Sequence, residues 1–235
     1  MLASVLPCIY QDQGETQELR VVTRKAPPIV RMDQGQLGGF GIEIWNSIAE
    51  RLHVATRYQV APDVEALLER VRSGKAEVGV GAISITSARQ REFDFSEPIL
   101  DAGLQIMVRS QGSDGIKGPQ DLDGKRVATT PGSTAAAFLR ELNARVYQYP
   151  ALKYVYSALL DGKVDAIVFD APVLLHFAAS EGKDRVKTVG SIFREEKYGI
   201  VFLRNSALRA QVNGALSTLH EDGTYQTLYD KWFAN

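Results

Sequence analysis

The sequence predicts an α/β protein of two similar lobes, each a mostly parallel sheet flanked by helices. Three observations predict it. From Leu19 onward, apolar runs of strand length alternate with segments whose apolar residues recur at helical spacing. One junction of the first half recurs in the second: "LLERVRSGKAEVGV" and "VYSALLDGKVDAIV" are each a helix, Gly-Lys, an acidic residue and a strand. Between the halves lies a stretch without periodicity, "RSQGSDGIKGPQDLDG" (Arg109 to Gly124). A chain of 235 residues is long enough for two lobes of about 100 residues each.

The elements follow in order. "LRVVT" (Leu19 to Thr23) reads as a strand, and "GIEIWNSIAERL" as a helix with Trp45, Ile48, Ala49 and Leu52 on one face. "TRYQV" is a strand. "DVEALLERVRSG" places Val64, Leu67, Leu68 and Val71 on one face and stops at Gly74, and "EVGVGAISI" is the next strand. In the second half "KRVATT" is a strand and "STAAAFLRELN" a helix that aligns Ala135, Phe138, Leu139 and Leu142. Leu152, Val155, Tyr156 and Leu159 mark another helix; "VDAIVFD" is a strand; "APVLLHFAAS" is a helix with Pro172 in its first turn. "KYGIVFL" reads as a strand and the return crossing, followed by two helices, the last aligning Tyr225, Leu228, Tyr229 and Trp232. These readings give a tail or export-signal remnant over 1–18, lobe 1 over 19–109 plus 201–235, and lobe 2 over 110–200. Two crossings between lobes make a hinge.

Composition removes several function classes. The formal net charge is -1, without the basic footprint of a nucleic-acid binder. Cys8 is the single cysteine, so no internal disulfide forms, and His53, His176 and His220 lie too far apart for metal-ligand spacing. The chain carries no apolar run long enough to span a bilayer as a helix. Nothing implies a metal or a cofactor.

In open α/β sheets, ligands sit beyond the carboxyl ends of the strands. Three such ends are polar. In "GAISITSARQREFDFSEP" a strand gives way to the Ala82 carbonyl, Ser84 and Arg89; a guanidinium there suits a carboxylate, or pairs structurally with Asp94 or Glu97. In "VATTPGSTAAAFLREL" a Pro-Gly turn leads to Ser133 and Thr134 at a helix start, where free N–H groups suit an anion and the hydroxyls suit simple capping. In "VDAIVFDAP", Asp170 stands between a strand and a helix, as a cap or as the partner of an ammonium group. One cation, one anion and one helix start together match an amino-acid zwitterion.

At this point the chain resembles the amino-acid-binding fold shared by bacterial extracellular solute-binding proteins of the polar amino-acid class and by the ligand-binding cores of ionotropic glutamate receptors. The resemblance runs from about Leu19 to Phe233 and rests on "LGGFGIEIW", "AISITSARQREFDFSEPI", "GLQIMV", "GSTAAAFL", "GKVDAIVFDAPV", "KYGIVF" and "DGTYQTLYDKWF". "GLQIMVRS" and "EEKYGI" read closest to the prokaryotic receptor-channels, whose pore is inserted where this chain has Arg109 to Pro119. The resemblance implies a type II periplasmic-binding-protein clamshell that closes on an L-amino acid, with glutamate favoured and glutamine or small neutral amino acids next. It implies that Arg89, with the backbone N–H of Ser84 and of Ser133, holds the α-carboxylate. It likewise implies that the Ala82 carbonyl, the Ser84 hydroxyl and Asp170 hold the α-ammonium, that Thr134 meets the distal group, and that Tyr198 orients Asp170. Three positions depart from the family pattern: Asp170 stands where many receptors have glutamate, Ser84 replaces threonine, and Ile29 and Leu37 stand where an aromatic usually covers the ligand. Phe40 reads as core.

The implied location is periplasmic or extracellular, and the implied partner is an ABC transporter permease or a fused channel pore, with weak self-pairing in the receptor case. Dehydratases built on the same clamp are the enzyme alternative. The sequence expectation is a binder and not an enzyme: no G-x-S-x-G elbow occurs, "GPQDLDGKR" lacks phosphate-loop spacing, and His176 falls inside a helix as a packing residue.

Overall fold

The computed structural model describes residues 17–112 and 115–234, so the tail expected over 1–18 falls almost wholly outside the described residues. The chain forms β1 (Glu18–Arg24), a hairpin of β2 (Arg31–Asp33) and β3 (Gln36–Gly38), α1 (Phe40–Arg51), β4 (Ala55–Ala61), α2 (Val64–Arg72), β5 (Val78–Gly79), the single turn α3 (Ser87–Gln90) and β6 (Phe93–Phe95). It continues as β7 (Leu100–Arg109), β8 (Arg126–Thr129), α4 (Thr134–Leu139), β9 (Arg145–Gln148), α5 (Leu152–Leu160), β10 (Ala166–Asp170), α6 (Ala171–Ala179) and β11 (Val186–Tyr198). It closes with β12 (Val201–Leu203), α7 (Leu208–Glu221) and α8 (Thr224–Phe233).

Two five-stranded sheets result, in the orders β4-β1-β5-β12-β6 and β11-β7-β10-β8-β9. Read from opposite ends, the two orders describe one plan. In each sheet four strands point the same way, and the fifth, β12 or β7, runs against them. The opposed strand is in each case the one that has just arrived from the other lobe. The echoed junctions fall at equivalent places. Arg20 on β1 pairs with Glu77 before β5, and its backbone N–H also donates to that carboxylate at 2.8 Å. Arg126 on β8 repeats this with Asp165 before β10, its N–H donating at 2.9 Å. Both ion pairs are substantially solvated, so each contributes register more than stability.

The apolar faces pack as their periodicity predicts. Trp45, Ile48 and Ala49 of α1 are buried, as are Val64, Leu67, Leu68 and Val71 of α2. On β1, Leu19 and Val21 face the α1 side and Val22 the α2 side, the alternation of a strand covered on both faces. Phe40 is fully buried against Tyr225, Tyr229 and Phe233.

Four expectations need correction. Leu100–Arg109, assigned to lobe 1, pairs with β10 and β11 in the second sheet, so the first crossing lies before Leu100 and not in the aperiodic stretch after Arg109. An apolar run shows that a strand is buried but not which sheet buries it. "KYGIVFL" is two strands, because the chain leaves one sheet at Tyr198 and enters the other at Val201. "EVGVGAISI" stays in strand geometry only over Val78–Gly79, since the chain then bends away as the loop bearing Ala82 and Ser84. Finally, α4 ends at Leu139, where Asn143 accepts the Gly124 N–H and turns the chain into β9.

Gly79 sits in the central strand of lobe 1, where a Cβ would lie 2.4 Å from Val201 Cγ1 and 2.9 Å from Leu67 Cδ2. Gly79→Ala is expected to destabilise the protein by about 1–3 kcal/mol through overpacking. Equilibrium urea denaturation checks this, and an unchanged midpoint would contradict the packing described.

Candidate functional site

The carboxyl ends of β5, β8 and β10 bring the predicted residues to one place between the lobes. Ala82, Ser84, Ser133, Asp170 and Tyr198 are all buried, and Arg89 and Thr134 are half-buried. Of the seven, Tyr198 does most to hold the others together. Its hydroxyl donates to Asp170 Oδ2 at 2.5 Å, and its backbone forms an isolated bridge with Ser84. Around that bridge, Ile85 N donates to Lys197 O at 2.8 Å and Gly199 N to Ile83 O at 3.1 Å. The Ser84 N–H and hydroxyl are left out of the pairing and have no partner among the described residues.

Arg89 bonds to neither Asp94 nor Glu97. Its Nη1 donates to the Ser84 carbonyl at 2.8 Å, and its Nη2 reaches across the lobes to the Gly132 carbonyl at 3.2 Å. The Thr86 hydroxyl accepts the Arg89 N–H at 3.2 Å and caps α3, which fixes the base of the side chain. Gly132 has φ +66, and a Cβ there would lie 3.3 Å from Glu65 Cβ and 3.4 Å from Val64 Cγ1, so the lobes approach each other at this turn. That conformation favours glycine and starts the turn into α4.

Ser133 caps α4: its Oγ accepts the Ala136 N–H at 3.1 Å and donates to the Thr130 carbonyl at 2.7 Å. Asp170 occupies the N-cap position of α6 but caps nothing with its side chain, which takes the Tyr198 hydroxyl instead. Burial is the main cause that pushes the Asp170 carboxyl up to about 6, and the nearby Glu196 carboxylate adds to it. The Tyr198 hydrogen bond, Arg24 and Arg89 oppose the rise. Burial, and next the Asp170 charge, raise the Tyr198 phenol well above its ordinary value.

Sequence reasoning missed three residues of the site. Arg24 ends β1, is 6% exposed, and donates from Nη2 to the Ala82 carbonyl at 2.9 Å; its Nε is buried without a partner. Burial lowers both arginines, and the Arg24 charge lowers Arg89 further. Arg24 was findable, because it obeys the same strand-end rule as the others. Glu196 lies two residues before Tyr198; its Oε2 accepts from Thr134 Oγ1 at 3.0 Å, and its Oε1 is buried without a partner. Tyr156, stacked on Phe177 with ring centroids 3.6 Å apart, brings an aromatic to the cleft from lobe 2. Ile29 is wholly buried in the lobe 1 core and Leu37 is half-buried on the hairpin.

A cavity of about 470 Å³ opens between the lobes beside Arg24, lined also by Asp63, Thr130, Tyr156, His176 and Phe177. His176 is therefore a half-buried wall residue and not only helix packing, and burial lowers its pKa. Among the described residues no cluster of His, Cys, Asp or Glu could hold a metal ion, and no helix is long and apolar enough to cross a membrane.

The profile described as bacterial extracellular solute-binding proteins, family 3, matches residues 19–235. The lysine/arginine/ornithine-binding periplasmic protein of Escherichia coli K12 is 31% identical over 241 residues, covering 95% of this chain and 90% of that protein. The L-cystine-binding protein TcyJ of the same strain is 28% identical over 207 residues, covering 86% and 76%. Among solved structures, the GluR0 ligand-binding core from Nostoc punctiforme in complex with L-glutamate superposes with a TM-score of 0.87 at 48% identity, covering 92% of this chain and all of that one.

Because its folded-state pKa is raised, Asp170 contributes most to stability below the unfolded carboxylate range, and that contribution is lost as the pH rises through about 6. The stability of wild type relative to Asp170→Asn should therefore fall between pH 4 and pH 7 in parallel denaturation series. A difference that rises with pH would contradict the environment described for Asp170.

Proposed function

Because this chain belongs to the bacterial extracellular solute-binding proteins of family 3, we propose that it is an extracytoplasmic binder that closes its two lobes on an L-amino acid, glutamate foremost. The observation that carries the choice of an acidic ligand is the buried guanidinium of Arg24, whose Nε has no partner, in a site that also holds the half-buried Arg89 and the buried carboxyl of Asp170. Two guanidinium groups offer one cation to each of two carboxylates and Asp170 offers an anion to the ammonium group, while the second acid of the site, Glu196, stands beside Thr134. The likeness to a glutamate-bound core at 48% identity supports the same choice.

In this reading Arg89 takes the α-carboxylate with the N–H groups of Ser84 and Ser133. Asp170 takes the α-ammonium with the Ser84 hydroxyl and the second acceptor position of the Ala82 carbonyl, whose first is filled by Arg24. Tyr198 holds Asp170 in place. Arg24 and Thr134 meet the distal carboxylate. Ligand docks on lobe 1, and closure brings Ser133, Thr134 and Asp170 while expelling water, which strengthens every charged contact. The ligand favours closure only by the contacts it gains there. The bound, closed form then serves either an ABC transporter permease or a channel pore joined to the lobes, and no reaction follows. Glutamine is the second reading, favoured by one observation: the unpartnered acceptor Glu196 Oε1 lies on the side chain that bonds Thr134.

A thermal-unfolding panel with the twenty L-amino acids tests the reading. Glutamate at about 100 times its Kd should add about 2.7 kcal/mol of stability. Arg89→Ala should lose about 2–5 kcal/mol of binding, as for truncating one partner of a buried charged pair. No stabilisation by any amino acid, on protein unfolded and refolded to remove carried-over ligand, would end the amino-acid reading. Titration calorimetry on Arg24→Gln should show glutamate weakened by at least about tenfold more than glutamine, the loss of one charged hydrogen bond; equal weakening would remove Arg24 from the distal contact.

A further inference from the structure

Glu196 stands out as the one side chain of the site with a buried, unpartnered atom to which the glutamate reading gives no role. It lies on β11, whose residues Arg194 to Tyr198 pair regularly with β7 after the bulge that ends at Arg194. Its backbone is thus pinned opposite Ala102. Side chains two apart on a strand share a face, so Glu196 projects on the same side as Tyr198, which bonds Asp170. The Glu196 charge is felt at both Asp170 and Arg89. One carboxyl oxygen accepts from the Thr134 hydroxyl at 3.0 Å, and the other is buried with no donor. A buried carboxylate oxygen without a donor is costly to keep unless a ligand supplies one.

We propose that Glu196 is a specificity-determining residue that reads the distal group of the ligand: it accepts a hydrogen bond from an uncharged donor such as a side-chain amide, and disfavours a carboxylate. The inference rests on the amino-acid reading above and on Thr134 meeting the distal group. Arg24 and Glu196 then act in opposition. The arginine draws a distal carboxylate, the acid beside Thr134 repels it, and glutamate and glutamine are held within range of each other. Glu196 also lines a larger cavity of about 920 Å³ on the hinge side. A role confined to hinge motion would change the affinity of every ligand by the same factor, whereas a role at the distal group changes the ratio between ligands.

The test measures Kd for L-glutamate and L-glutamine by titration calorimetry on wild type, Glu196→Gln and Glu196→Asp. Glu196→Gln removes the charge and offers an amide donor, so the glutamate-to-glutamine affinity ratio should rise by at least about tenfold, the worth of one hydrogen bond to a charged group. Glu196→Asp draws the carboxylate back from Thr134 and should move the ratio the same way by less; it carries the test if the glutamine variant fails to fold. An unchanged ratio in the folded variants, including equal shifts for both ligands, overturns the assignment. Wild type that binds neither amino acid refutes the amino-acid reading and this inference with it, whereas wild type that binds with a ratio indifferent to position 196 refutes the inference alone.

Discussion

The hydrogen bond from the Tyr198 hydroxyl to Asp170, together with the backbone bridge from Tyr198 to Ser84, is the junction on which the site depends. Asp170 ends the central strand of lobe 2, Ser84 belongs to the strand-end loop of lobe 1, and Tyr198 is the last residue of β11 before the return crossing. One residue therefore sets the acid, the loop and the hinge relative to each other. It is also fully buried, which makes an unsatisfied phenol or carboxyl expensive and keeps the two together. The elevated pKa of Asp170 is the electrostatic trace of that burial, which outweighs the Tyr198 hydrogen bond and the charges of Arg24 and Arg89.

The same logic of incomplete satisfaction runs through the cleft. Three buried side-chain polar atoms lack a partner among the described residues, and two of them, Arg24 Nε and Glu196 Oε1, belong to this site. Stable cores do not leave such atoms idle. One is a donor and the other an acceptor, which is the demand that a ligand carrying both kinds of group meets. In the proposed reading closure is then not a separate event from recognition, since the contacts that would complete these atoms come from the space between the lobes.

Much of the fold was legible because period is a local property. The faces of α1 and α2 and the repeated Gly-Lys junction needed no tertiary knowledge, and the junction marked equivalent strands in the two sheets. Which sheet a strand joins is not local, and that is why β7 was placed in the wrong lobe. The site was legible where polar residues interrupt an apolar strand end, as at Asp170 and Ser84. Arg24 escaped because "TRKAPP" reads as a basic turn entering prolines, although it ends β1 just as Asp170 ends β10. Glu196 escaped because "REEKY" reads as a charged edge; only its period-two relation to Tyr198 marks it as inward. Tyr156 was recognised as a helix-face residue, but its helix faces the cleft as well as the core.

The opposed strands β12 and β7 also bear on how the chain is made. Lobe 2 is drawn from one continuous stretch between the two crossings, whereas lobe 1 is drawn from two, with β12 inserted between β5 and β6. During synthesis from the N-terminus, the first sheet must wait with an open slot, the inner edges of β5 and β6 unpaired, until the whole of lobe 2 has emerged and Val201–Leu203 follows it. An unpaired strand edge invites the wrong neighbour. The nascent lobe 1 is thus the stage of this protein's life most exposed to self-association, and a holding chaperone would find its binding surface there and not on the contiguous, self-sufficient second lobe.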